Sequence, residues 1–595
     1  MIRCRAPFTG AAFAAVVLSL AMPASVAQSQ AEPDTAGVRK VFEANIDAIH
    51  KRDRTRYLSY YIETETLARN GTGGLETGYK DWAAIRDNTW PDTLVARDLR
   101  LVPIAPGVVY GTYHYRQVVH NGPTIEGISE RIFVKTPKGW KIAVSSAFGL
   151  SAGASPPPMA LVGATLVNPG RPAVPNAVVI ARGGRIVCAG ARTECVVPAG
   201  IEVVDIRGKY VGPGLIDAHV HYSQTGWVDG RPDAIDLRAQ FPYDSVVAAL
   251  HHDPSRFDRA YLCSGVTSVF DVGGYPWTLT MAREHETALN APRMAAAGPL
   301  LTTYDTWLNT AVERQFIYMS SDSVIRAGVR ALARDGASAI KVWYLAVPDS
   351  QRAAMRARLM VTGEEAKRAG LPLIVHATQL ANAKDALHAG AKVLVHSVAP
   401  EDIDDEFLAL AKANGTIVIP TLTVFEGYAD VYAGRSPAAR YPLACVDAVT
   451  RAHLETVLPD SLRSERLARI RSTGRFDSAF HATERNVMRM RTAGIPIAMG
   501  TDAGNPGTAP GPSVYREMEA LQAAGMPAAE VFASATIVAA RAMGRDGDLG
   551  LLEAKRVADL VVWSADPTAD IGNAKTVVMV MKGGSLYGRA ELLPK

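Results

Sequence analysis

Between Leu215 and Ala503 short apolar runs recur with stretches of helical periodicity between them. The runs are LIDAHVH, VTSVFDVG, RMAAAGPLL, AIKVWY, LPLIVHA, KVLVHSV, TIVIPTL and IPIAMGTDA. They are too short for helices and apolar on both faces, the pattern of strands buried in a parallel sheet. Eight such strands with helices between them predict an α/β protein built on a (β/α)8 TIM barrel over 214–549, whose reactive face lies at the C-terminal strand ends. The flanks carry a different pattern. ALVGATLVNP, NAVVIARGGRIVCAG and IEVVDIRGKYVGPG come before the barrel, and RVADLVVWSADP and TVVMVMKGGSLY come after it. These β-rich pieces, 159–213 and 550–595, predict two halves of one composite β-sandwich. Between the seventh and eighth strands, 425–491 is far longer than a usual βα connection and contains stretches such as LRSERLARIRS, which predicts a helical lid over the barrel mouth.

Upstream, Val41, Phe42, Ile46, Ile49, Tyr57 and Tyr61 recur at helical spacing, and from about Leu94 alternating β runs take over, ending in RIFVKTPKGWKIAVSSAF. Helices followed by an antiparallel sheet predict a separate α+β unit over 33–150. This stretch resembles the cone-shaped domains of the nuclear-transport-factor-like superfamily. A linker, 151–158, follows it. The linker's GLSAG matches the G-x-S-x-G nucleophile elbow at Ser151, but an elbow needs a helix after it, and three prolines stand there instead.

Composition narrows the functional classes. The 595 residues carry 63 Lys and Arg against 59 Asp and Glu, a balance that gives no footprint for nucleic acid. The start, MIRCRAPF, then AAFAAVVLSLAM and PASVA, has the basic, apolar and small-residue regions of a secretory leader, 1–27, and its apolar run falls short of a membrane span. The expected location is therefore periplasmic or secreted, with no membrane attachment after the leader is removed. In such an oxidising compartment Cys188 and Cys195, flanking the turn-like AGARTE, either pair across a hairpin or are two small buried residues. Cys263, in an apolar segment, is expected to be a core residue.

The predicted strand ends hold the chemistry. The first supplies His219 and His221, two residues apart and so on one face of an extended strand. The fourth supplies Lys341, the fifth His376, the sixth His396 and the eighth Asp502. Imidazole and carboxylate suit a divalent ion such as Zn²⁺. Lys341 is the exception, because an ammonium has no lone pair; either it pairs with a carboxylate such as Asp502, or CO2 carboxylates it to a carbamate able to bridge metals.

Together IDAHVH, the Lys in IKVW, the single histidines in LIVHA and LVHS, and GTDAG resemble the amidohydrolase superfamily, in particular its imidazolonepropionase-like and secreted prolidase-like branch. That resemblance, covering Met159 to about Leu593, implies two Zn ions. His219 and His221 would hold the more buried one, His376 and His396 the other, and carboxylated Lys341 would bridge them. Asp502 would ligate the first ion and act as the catalytic base and acid. Two departures bear on the substrate: Thr378 stands where many relatives have His or Tyr, and Gln379 stands where the mononuclear deaminases have a proton-shuttling Glu. Tyr344 and Arg516 are candidates to bind a substrate carboxylate, and Tyr304 and Trp307 to line the pocket. The expected activity is hydrolysis of a small amide or peptide, a dipeptide or an N-acyl amino acid; a lactone or cyclic amide is the alternative, and an inert small-molecule-binding barrel is the competing class. Assembly into a homo-oligomer is left open.

Overall fold

The computed structural model describes residues 35–71, 74–84, 90, 93–118, 124–149, 156–305, 309–310, 313–472 and 475–594. The leader, Ser151 of the GLSAG match and Trp307 lie outside the described residues. The chain divides into two compact units, 1–149 and 150–595. Among the described residues no helix is long and apolar enough to cross a membrane.

In the N-terminal unit the helix Thr35–His50 places Val38, Phe42, Ile46 and Ile49 on one buried face, as a 3.6-residue period requires. A six-stranded sheet packs with it. Four long strands, Thr93–Ala105, Val108–Val118, Thr124–Thr136 and Gly139–Gly149, form an antiparallel meander, and Ala68–Gly71 joins its last strand in parallel. Phe133 and Ile142, fully buried, meet Val38 and Phe42 in the core.

The second unit begins and ends in β-structure. A four-stranded sheet from 159–205 and a five-stranded sheet that mixes Thr165–Leu166 and Tyr210–Pro213 with Leu560–Trp563, Val577–Lys582 and Ser585–Gly588 share one apolar core, including Leu161, Val179, Leu560 and Val562. Sequence-distant strands pair directly: Tyr210–Pro213 runs antiparallel to Leu560–Trp563.

Between these pieces lies the parallel α/β body. Leu215–Val220, Val266–Asp271 and Arg293–Ala296 form one parallel ladder. Phe316–Tyr318, Leu300–Thr302, Ile340–Trp343, Leu373–His376, Val393–Val395 and Ile417–Ile419 form another. The run RMAAAGPLL, expected as one strand, is two. Gly298 takes φ 67° and the next residue is Pro299, so the chain turns between Ala296 and Leu300, and Phe316–Tyr318 is a further strand that the pattern did not reveal. The expected eighth strand is reduced to single bridges: Pro496 has no amide to donate, and Asp502 takes φ 60°. Even so, Ala498 N donates to Val418 O at 2.9 Å and Ala218 N to Met499 O at 3.1 Å, so this segment touches both ladders.

Residues 425–491 are largely helical, with Leu422–Ala433, Ala448–Glu455, Asp460–Ser472 and Arg475–Thr492 as its main helices. Cys445 within it is disulfide-bonded to Cys263, which corrects the expectation of a simple core cysteine. Cys263 is fully buried, but its partner lies 182 residues along the chain, a pairing that no local pattern reveals. Cys188 and Cys195 also form a disulfide, across the turn that separates them.

Candidate active site

The strand Leu215–Val220 is buried at every position, with His219 pointing inward and His221 following at its end. The Asp beside them has a positioning role. Asp217 accepts hydrogen bonds from Thr501 Oγ1 at 2.6 Å, Thr501 N at 2.9 Å and His219 N at 3.2 Å, and burial pushes its carboxyl up to about 7. It therefore fixes the residue preceding Asp502 against the strand that carries the two histidines.

Three of the expected groups meet around Asp502. His219 Nε2 lies 3.1 Å and His221 Nε2 3.0 Å from Oδ1, and His396 Nε2 lies 3.9 Å from Oδ2. The rings of His376 and His396 approach edge to face with centroids 4.4 Å apart. Lys341, 2 % exposed, lines the same cavity, as does His376. His219, His396 and Asp502 bring donor atoms within 4.8 Å of one another.

Two of the imidazoles are aimed from behind. His221 Nδ1 donates to Gly273 O at 2.6 Å, which turns its Nε2 toward Asp502. His396 Nδ1 lies 2.6 Å from Thr421 Oγ1, which turns its Nε2 inward. Burial lowers His219 and His376 to about 3 and pushes His396 well below its ordinary value, so these rings are neutral near pH 7. Burial also lowers the Lys341 amine to about 7, leaving a substantial unprotonated fraction at neutral pH, the form that reacts with CO2.

The donor set fits a metal. Neither ring nitrogen of His219 has a hydrogen-bond partner, nor does Asp502 Oδ1, although two imidazole nitrogens approach it closely. His221 Nε2 lies 3.0 Å from that same carboxylate oxygen. Buried acceptors in such an arrangement are costly unless a cation lies among them. His219, His221, His376, His396 and Asp502 supply nitrogen and oxygen donors of the kind that hold Zn²⁺ or a similar divalent ion, and Lys341 joins that set only as a carbamate.

The cavity above them has a volume of about 220 Å³. Leu300, Phe316 and Trp343 form one wall, and Val424, Phe425 and Tyr428, from the first helix after the seventh strand, form another. Arg231 brings a guanidinium to it. The guanidinium is paired with Asp233 through Nε at 2.9 Å and Nη2 at 2.8 Å, and Nη1 bonds Asn505, which also accepts from the Tyr428 hydroxyl at 2.9 Å.

The expected substrate-binding residues lie elsewhere. Tyr344 is 3 % exposed and turns away from the cavity, its hydroxyl 3.4 Å from Asp385, because alternation along the strand gives the inward position to Trp343. Arg516 is committed to Glu426 through Nε at 2.7 Å and does not line the cavity. Tyr304 is 41 % exposed and does not line the cavity, its ring centroid 6.0 Å from that of Trp343. Arg231 was missed because it sits in an irregular loop, GWVDGRPD, with no periodicity to mark its direction. The one available signal was the closely spaced Arg231 and Asp233, a pairing that pre-orders a guanidinium.

The chain resembles known proteins in sequence and in fold. An imidazolonepropionase of Rhizorhabdus wittichii is 27% identical over 437 residues, covering 69% of this chain and 93% of the relative. Among solved structures, a Xaa-Pro dipeptidase with bound methionine superposes with a TM-score of 0.55 at 21% identity, over 72% of this chain and 100% of that one. A prolidase complexed with N-methylphosphonate-L-proline gives 0.55 at 22%, over 73% and 100%. These structural likenesses speak to the fold, a TIM-barrel-type α/β architecture. The model of the amidohydrolase family matches residues 210–587, well over half of the sequence, and the chain belongs to that family of hydrolases acting on carbon–nitrogen bonds.

Proposed function

We propose that this protein is an exported, metal-dependent hydrolase of small amides whose substrates, dipeptides or N-acyl amino acids, carry a free carboxylate. The observation that carries the reading is the convergence of neutral imidazoles and an unpartnered carboxylate oxygen at the base of a cavity that also holds one guanidinium. Divalent ions bound there would polarise a substrate carbonyl and lower the pKa of water by several units. Asp502 takes the proton of the attacking water and returns it to the departing amine nitrogen, which makes one carboxylate both base and acid. Arg231, held flat by Asp233, uses its remaining N–H donors to orient the substrate carboxylate. Leu300, Phe316 and Trp343 exclude water from the scissile bond and accept an apolar side chain. The neighbouring prolidase with a phosphonate-proline ligand supports the dipeptide class. A cyclic amide is the second reading, favoured by the relatives named imidazolonepropionases. Two disulfides support export to an oxidising compartment.

The test is a hydrolysis screen of metal-loaded protein against dipeptides and N-acyl amino acids, each with a free and an amidated C-terminus, alongside Asp502→Asn. Free-carboxylate substrates should be preferred, and the variant should lose about 10²-fold or more in kcat. Equal rates for variant and parent would remove Asp502 from the proton path.

A further inference from the structure

A second cavity, of about 340 Å³, lies wholly within the N-terminal unit. The volume is in the range of small-molecule sites. Its wall is mixed, with Ile49, Leu94 and Tyr115 on the apolar side and Gln117, Ser129 and Ser145 among its polar groups. Arg131 also lines it and is 4 % exposed.

The guanidinium of Arg131 has only neutral partners. Nη1 donates to Asn45 Oδ1 at 2.5 Å and Nη2 to the Tyr113 hydroxyl at 3.0 Å, while Nε, fully shielded, has no acceptor. Among the described residues no carboxylate lies within ion-pair distance of it. The one carboxylate in the cavity lining, Glu76, is paired with Arg69 at 3.2 Å. An arginine remains charged in any protein environment, and a buried charge without a counter-ion is strongly unfavourable. Asn45, itself fully buried, spends its oxygen on holding that charge in place. A guanidinium fixed in a roomy pocket with unspent donors is the arrangement that recognises a planar anion by paired hydrogen bonds.

We propose that the N-terminal unit binds a small organic carboxylate, its anionic group on Arg131 and its apolar body against Ile49, Leu94 and Tyr115. The site is separate from the hydrolytic cavity and uses none of its residues.

The experiment is isothermal titration of the full-length protein with benzoate and with its neutral isostere benzamide. Benzoate should bind and benzamide should bind at least about tenfold more weakly. Arg131→Met should lose benzoate affinity by the same factor or more. Ala147→Trp, at an exposed lining position, should block binding while leaving the charge and its partners in place, and so decides the matter if the first variant does not fold. No benzoate binding up to about 10 mM, equal affinity for benzamide, or parental affinity in a folded variant would overturn the proposal.

Discussion

At Asp502, His396 and Thr421 the backbone φ angles are 60°, 70° and 52°. Side chains on Cβ disfavour this left-handed region, and each such residue costs about 1–3 kcal/mol. All three meet at the site, and one of them, Thr421, is the residue behind His396. Replacing Thr421 with Val removes the hydroxyl and nearly preserves the shape, so His396 loses its orienting partner. Metal affinity should fall about 10–100-fold, read by competition with a chromogenic chelator. Arg231→Gln tests substrate orientation instead. kcat/KM for a free dipeptide should drop about tenfold or more while its amidated analogue is little changed. The metal-type donors were legible in the sequence because His, Asp and Lys are conspicuous at the ends of apolar strands. The direction of a neighbouring side chain was not. Tyr344 and Trp343 are adjacent in sequence, and only the phase of the strand decides which one faces the cavity.

Among the elements, the short segment bearing Gly500 is held between its neighbours by close approach. A Cβ on Gly500 would come within 2.6 Å of Ile419 Cγ2 and 2.8 Å of His219 Cβ. Gly500→Ala should therefore displace His219, lowering kcat and melting temperature together, whereas Ala at solvent-exposed Gly547, which meets nothing within 4 Å, should spare kcat. The helix Leu422–Ala433, which contributes a cavity wall, is anchored at its start by Glu517. One carboxylate oxygen accepts from Leu422 N at 2.9 Å and the other from Thr423 N at 2.7 Å. Burial pushes the Glu517 carboxyl up to about 8. Because the folded value exceeds the unfolded one, the folded state binds the proton more tightly. That contribution is complete below about pH 4.5 and is lost as pH rises through about 8. The melting temperature should therefore fall across that window by roughly 1 °C or more per pH unit, and Glu517→Gln should flatten this slope while lowering the absolute value. Strand existence was readable from apolar runs; strand continuity was not. RMAAAGPLL contains both a Gly at positive φ and a Pro, and the pattern of apolar residues passes through them unchanged.

For the whole molecule, long-range closure governs stability. The Cys263–Cys445 bond spans 182 residues and ties the helical insertion to the helix Ser255–Cys263. Chain-entropy arguments put such a bond at up to about 5 kcal/mol. A Cys263→Ala/Cys445→Ala pair should melt several degrees lower, while removing Cys188–Cys195, which closes only seven residues, should cost less. Chelation should lower the melting temperature as well, and saturating Zn²⁺ should restore it, because an ion bound only by the folded state stabilises it by mass action. The pairing of Tyr210–Pro213 with Leu560–Trp563 was hinted at by matching β-rich ends, but which strands pair depends on the path of everything between them. That path has a consequence for biosynthesis. His219 and Asp502 touch although they are 283 positions apart, so a growing polypeptide carries no complete donor set until its final fifth is being made. Truncated or half-synthesised copies are thus chemically silent, and hydrolytic power arrives only when the last helices and closing strands are in hand.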